Sequence, residues 1–199
     1  GFVQARYNIT QWLNLSGKVN LDKTIDQLES FAYQGTPFTP LGGDFTETGI
    51  TVTQRWFDAI LSGSNRINNS LKVDYRAGAI LQDNKHDALY DRAGGLNLTN
   101  QFSLNYATYP SITQDASHIQ TQSLFAQVNL AFKEALFLDA SVRTDWISTL
   151  PPPYSTTYPS VGLSAIISDL ARLPRIIEFL KLSANYAEVG NGVPFATTN

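Results

Sequence analysis

Residues 123–146 read as two long arms of period-two alternation joined by a turn. Leu124, Ala126, Val128, Leu130 and Phe132 alternate with Phe125, Gln127, Asn129, Ala131 and Lys133. After a turn at Lys133-Glu134-Ala135, Leu136, Leu138, Ala140 and Val142 alternate with Phe137, Asp139, Ser141 and Arg143. Side chains of a strand point to opposite faces in turn, so this pattern predicts an antiparallel hairpin with one apolar and one mostly polar face. Each arm is about ten residues, longer than the usual five or six of a globular strand and close to the 9–11 that a tilted strand needs to cross a bilayer.

The rest of the chain repeats the signal more weakly. Val3, Ala5, Tyr7 and Ile9 form a first short strand, which a tight connection near Thr10-Gln11 links to a second. That second strand alternates from Leu13 to Leu21 and continues to about Asp26. Gly35, Pro37, Pro40, Gly42 and Gly43 punctuate a long loop at 27–46. Residues 50–60 read as a strand, Ser62-Gly63-Ser64-Asn65 as a turn, and Leu71 to Ala79 as the next strand. Residues 83–122 are expected to be the longest loop, with a weak strand at Phe102, Leu104 and Tyr106. A further loop at 147–159 holds three consecutive prolines, and Val161, Leu163 and Ala165 mark the following strand. Leu170, Leu173, Ile177 and Leu180 have helical spacing, but Pro174 limits any helix there to a turn or so. Leu180 to Tyr186 is the last strand, which makes eight.

Loop length alternates along the chain: short or moderate near 10, 61–68, 133–135 and 169–178, longer at 27–46, 83–122 and 147–159. Outer-membrane barrels sort their connections in this way, with short periplasmic turns and long extracellular loops. Phe132, Trp146 and Tyr186, at or near strand ends, suit the aromatic girdles of such a barrel or an ordinary core.

Little in the sequence supports catalysis. His86 and His118 stand alone, without metal-ligand spacing. Gly42-Gly43 and Gly94-Gly95 lack the context of a phosphate loop, and Gly-x-Ser-x-Gly does not occur. A net charge of −3 offers nucleic acid no basic stripe. Neither an enzyme nor a cofactor site is expected. With 43% hydrophobic and 16% charged residues among 199, the chain has the composition of an ordered protein. It has no cysteine, and no run approaches the roughly 18 apolar residues of a transmembrane helix. The absence of methionine implies that the sequence is not an intact translated chain.

Four segments together carry a resemblance. Ser-Leu-Phe-Ala-Gln-Val-Asn-Leu at 123–130, Phe-Leu-Asp-Ala-Ser-Val-Arg-Thr-Asp-Trp-Ile-Ser-Thr-Leu-Pro at 137–151, Tyr-Pro-Ser-Val-Gly-Leu-Ser at 158–164, and Leu-Lys-Leu-Ser-Ala-Asn-Tyr at 180–186 followed by Gly190-Asn191 resemble the barrel of SusC/RagA-type TonB-dependent transporters. The resemblance implies an all-β fold, with antiparallel up-and-down strands forming part of a transmembrane β-barrel wall. It makes residues 1–199 one barrel segment of about eight strands, without the plug. It further implies uptake of glycans or peptides across the Gram-negative outer membrane. The partners implied are a SusD-like surface lipoprotein, the TonB complex acting through the plug, an oligosaccharide or peptide substrate, and outer-membrane lipid. Loop aromatics Tyr106, Tyr109, Tyr154 and Tyr158 are the candidate ligand-binding residues, because phenol rings stack on sugars and peptide side chains. No single residue of the polar face, such as Asp139, Arg143 or Lys181, is assigned a role.

The rival expectation is a soluble all-β carbohydrate-binding module, in which the same alternation packs two sheets. A wall segment differs in leaving a continuous apolar face and two strand edges uncovered. It is therefore expected not to form a compact monomer in water by itself.

Overall fold

A computed structural model describes residues 1–171, 174 and 176–190. Leu173 of the expected helical spacing and Asn191 of the resemblance lie outside the described residues. The elements are β1 (Phe2–Asn8), β2 (Leu13–Ala32), β3 (Asp44–Asn68), β4 (Leu71–Leu96), β5 (Ala107–Phe132), β6 (Leu136–Ile147), β7 (Ser155–Ile166), a one-turn α1 (Ile167–Leu170) and β8 (Lys181–Ala187). The strands form one eight-stranded sheet in sequence order, β1 to β8. The ladders β1–β2, β5–β6, β6–β7 and β7–β8 are antiparallel.

Residues 124–132 pair antiparallel with 136–144, as the alternation predicts. Lys133 and Glu134 hold φ of 52° and 56°, and the Ala135 amide donates to the Phe132 carbonyl over 3.1 Å. Two successive positive φ values give the turn a twist that matches the strands it joins.

Four expectations need correcting. The second strand runs to Ala32, and the loop after it occupies only 33–43. Ser62-Gly63-Ser64-Asn65 is not a turn but part of β3, which turns at Asn69-Ser70. There the Asn68 side chain accepts from the Ser70 and Leu71 amides at 2.8 Å, replacing a backbone turn bond. A Cβ at Gly63 would stand 2.5 Å from the Tyr75 ring, so the small residue makes room for an aromatic on the neighbouring strand. Residues 83–122 are not a loop: β4 and β5 run through most of them, and 97–106 remain as the connection. Instead of a weak strand at 102–106, the chain makes a 3₁₀ turn at Leu104–Tyr106, with Ser103 as its cap. Finally, the last long loop occupies 148–154, so Trp146 and Tyr158 lie on strands. Tyr109 likewise lies on β5, not in a loop. The loops shorten, and the connections 9–12, 69–70 and 133–135 stay shorter than 33–43, 97–106 and 148–154, but the expected alternation breaks at β7–β8, whose connection, 167–180, is the longest of all.

The chain divides into two compact units. Unit 1 comprises residues 1–20, 55–82 and 119–199; unit 2 comprises 21–54 and 83–118, the parts of β2 to β5 nearest the loops at 33–43 and 97–106. In unit 1 the short connections are tied side by side. The Lys133 amide donates to Ser70, the Ile166 amide donates to Ala135, and Arg66 meets Glu134 at 3.3 Å.

Unit 2 has a small core of its own: Phe45, Ala93 and Leu96 are buried, with Phe102, Leu104 and Ala107 packed against them. Phe31 and Tyr33 bring their rings within 5.1 and 5.0 Å of Phe102, the second edge-on, as ring quadrupoles prefer. Its two loops are tied together by polar bonds. The Gln34 amide donates to Asn100 Oδ1, the Asn100 amide donates to the Gly42 carbonyl, and the Gly42 amide donates to Gln34 Oε1, all at 2.8–2.9 Å.

Candidate functional site

In unit 1 the sheet registers sort side chains into two faces. Leu130, Leu138, Leu163 and Ala184 form one row across β5 to β8, because residues directly opposite in a ladder share a face. Phe132, Leu136, Ala165 and Leu182 form the next row on that face. Asn129, Asp139, Gly162 and Asn185 form a row on the other face. The two sets therefore stand on opposite faces, as expected from the sequence. The apolar one is the more open: Leu124, Val142, Val161, Leu163, Leu182 and Tyr186 are 45–59% exposed.

The polar face is knit together. Arg143 donates through Nε to Asp145 Oδ1 at 2.7 Å and through Nη2 to Ser123 Oγ at 3.0 Å. Ser123 and Asp145 are buried, so the guanidinium satisfies two groups that water does not reach well. Ser141 and Ser160 share a hydroxyl bond of 2.6 Å, and Gln127 Nε2 donates to Asn129 Oδ1. A Cβ at Gly162 would meet Asn185 Oδ1 at 2.8 Å, so its hydrogen leaves space for the amide of β8.

The candidate tyrosines are scattered over these surfaces. Tyr158 lies opposite Arg143 on the polar face, with Gly190 against its ring. Tyr154, half exposed with φ of 64°, closes the 148–154 loop by accepting from the Ile147 amide at 2.9 Å. It borders an apolar groove shared with Phe57, Leu81 and Trp146. In unit 2, Tyr106 ends the 3₁₀ turn, and Tyr109 is 70% exposed with its ring against Gly95. Among the described residues no ring contact joins any two of the four. The aromatics that do cluster are Phe31, Tyr33, Phe45 and Phe102, of which the sequence placed Phe102 in a weak strand and marked none as a site. Their only sequence signal was proximity to glycine- and proline-rich stretches, which also describes ordinary loops.

Electrostatically the units differ. Unit 2 carries nine Asp and Glu against Lys23, Lys85 and Arg92, although the whole chain is only −3. Asp44 holds Arg92 through three hydrogen bonds of 2.7–3.2 Å, which raise the guanidinium pKa still further above its usual value. His118 Nε2 lies 3.0 Å from Asp83 Oδ1. Among the described residues no group of three or more His, Cys, Asp or Glu side chains is placed to hold a metal ion.

A family model described as "TonB dependent receptor-like, beta-barrel" matches residues 1–197. Three structures of a RagAB peptide transporter or importer superpose well. The first does so with a TM-score of 0.79 at 17% identity, and the "open-open" and "closed-closed" states of the importer with 0.78 at 19% and 0.74 at 21%. Each covers 92% of this chain, which spans 21% of the length of those it matches. No curated protein matches. With an up-and-down sheet, segregated faces and a family match over nearly its whole length, the chain belongs to the TonB-dependent receptor β-barrel family, of which it is a stretch of wall.

Proposed function

We propose that residues 1–199 are one segment of the barrel wall of an outer-membrane importer of the SusC/RagA type, which takes up peptides or glycans. The observation that carries this reading is the sheet with one open apolar face and one hydrogen-bonded polar face. In water such a face is a liability; against lipid it is the stable arrangement. The dimensions agree. From Leu136, opposite Phe132, to Trp146 the strand advances ten residues. At about 3.4 Å per residue and a tilt of about 45°, that spans roughly 24 Å of membrane, against an apolar band of about 25 Å in such barrels. Phe132 and Trp146 then sit at the two headgroup levels. The polar face with Arg143, Asp145 and Ser141 lines the interior.

Strands of 25–26 residues exceed the 9–11 needed for a crossing, so β3, β4 and β5 continue past the membrane. Unit 2 is their extracellular part on this reading. Tyr106, Tyr109, Tyr154 and Tyr158 are proposed contacts for sugar rings or peptide side chains. A SusD-like lipoprotein works with the importer at the cell surface, and TonB supplies energy through the plug. The test is uptake by cells carrying the whole transporter, with labelled oligopeptides and oligosaccharides, before and after collapse of the proton-motive force. Energy-dependent uptake of one class is expected; energy-independent passage of every solute would falsify the importer reading.

A further inference from the structure

The β5–β6 ladder ends at Thr121↔Ile147, and beyond it the Ser148 amide donates to the Gln120 carbonyl and the Gln120 amide to Ser148 Oγ, both at 3.0 Å. β5 itself begins fourteen residues before that point, at Ala107. Its neighbours in the sheet are β4 and β6 alone, so residues 108–116 have a strand on one side only, among the described residues. The direction of each backbone group follows from two anchors. The Gln120 carbonyl points to the β6 side, whereas the Tyr109 carbonyl lies 3.3 Å from where a Cβ at Gly94 on β4 would stand. Alternate residues of a strand address opposite neighbours, so Ile112, Gln114 and Ala116 turn their N–H and C=O groups to the open side. Pro110 falls on the same side, where its missing N–H costs no ladder bond. The segment is exposed, with Ile112 at 75%.

We propose that this edge binds an extended cationic peptide by adding it to the sheet as a further strand. An open edge offers alternating donors and acceptors at the repeat of a polypeptide, which a sugar chain cannot match. The sign of the peptide follows from unit 2, whose nine carboxylates outnumber its lysines and arginines three to one, with Asp115 on the edge strand itself. The proposal rests on the importer reading and narrows its substrate to peptides bearing lysine or arginine.

The experiment measures binding of a fluorescent (Lys-Thr)₅ peptide to the whole transporter in detergent. The peptide is compared with (Glu-Thr)₅ and with a (Lys-Thr)₅ methylated on alternate backbone nitrogens. Methylation removes the donors along one edge and leaves the charge intact. Expected are binding of the lysine peptide that weakens with salt, about tenfold loss on methylation, and little binding of the glutamate peptide. Ala116→Pro, which deletes one outward N–H, should weaken binding about tenfold, while Gln114→Ala, which keeps it, should not. Equal affinity of the methylated peptide, or of the glutamate peptide, would overturn the proposal whatever the variants do. Energised uptake of peptides by cells carrying an Ala116→Pro transporter that binds them normally would leave the importer reading standing and the edge site refuted. Binding that follows the expected pattern without uptake would do the reverse.

Discussion

Three glycines of unit 2 provide a graded test of how its loops are held. Gly42 has φ of 86°, and a Cβ there would overlap the Leu96 carbonyl oxygen and stand 2.8 Å from Leu96 N and C. Gly35 has φ of 96° with nothing within 4 Å, and Gly49 has open space without a positive φ. A left-handed backbone costs an alanine about 1–2 kcal/mol, and forcing a methyl into occupied backbone adds about 1–3. Gly42→Ala should therefore destabilise unit 2 by about 3 kcal/mol, Gly35→Ala by about 1, and Gly49→Ala by less than about 0.5. The readout is hydrogen exchange of the Asn100 amide, bonded to the Gly42 carbonyl at 2.8 Å, in the whole transporter in detergent. At 1.4 kcal/mol per tenfold, exchange should quicken about a hundredfold in the first variant, about fivefold in the second, and stay nearly unchanged in the third. Equal exchange in Gly42→Ala and Gly49→Ala would show that the loop moves freely enough to admit the methyl, and the packing argument would fail.

Leu163→Arg, on the apolar face, should cost about 2–4 kcal/mol and reduce barrel assembly, whereas Ser164→Arg on the polar face should be tolerated; heat-modifiable gel mobility reads both. Arg143→Met removes the bonds to Asp145 and Ser123 and should cost about 1–3 kcal/mol in denaturant titration, with Asp145→Asn recovering part of it by removing the stranded charge. The 199 residues alone, without detergent, should sediment as oligomers, since Leu163, Leu182 and Tyr186 are 56–59% exposed; a compact monomer with cooperative unfolding would return the soluble-module reading to first place.

The hairpin at 124–145 was legible because one face of it is apolar, and that demand writes period two into the sequence. The outer halves of the long strands were not. From Asp22 to Phe31 every residue is exposed, as are Thr108 to Ala116, so neither face imposes a pattern. There, Glu29 and Ser30 or Gln114 and Asp115 read as loop although they are strand. The misplaced turn at 62–65 has a different cause: Gly63 is small because Tyr75 covers it, and a lone sequence cannot separate that role from a bend. Three of the candidate tyrosines, Tyr106, Tyr109 and Tyr154, are exposed as loop residues would be; that Tyr158 faces Arg143 is a matter of register between β6 and β7.

Strand order that follows chain order has a kinetic side as well. Every new strand docks on the one made just before it, so loop-closure entropy is met in small instalments and no segment waits for a distant mate. Such a sheet can zip up one hairpin at a time from a nucleus such as β5–β6, whose turn is only three residues long. At each stage, however, the growing margin is an adhesive strand. Successful assembly then becomes a race between the next hairpin of the same chain and any stray strand nearby, which the short turns at 69–70 and 133–135 tilt toward the correct neighbour.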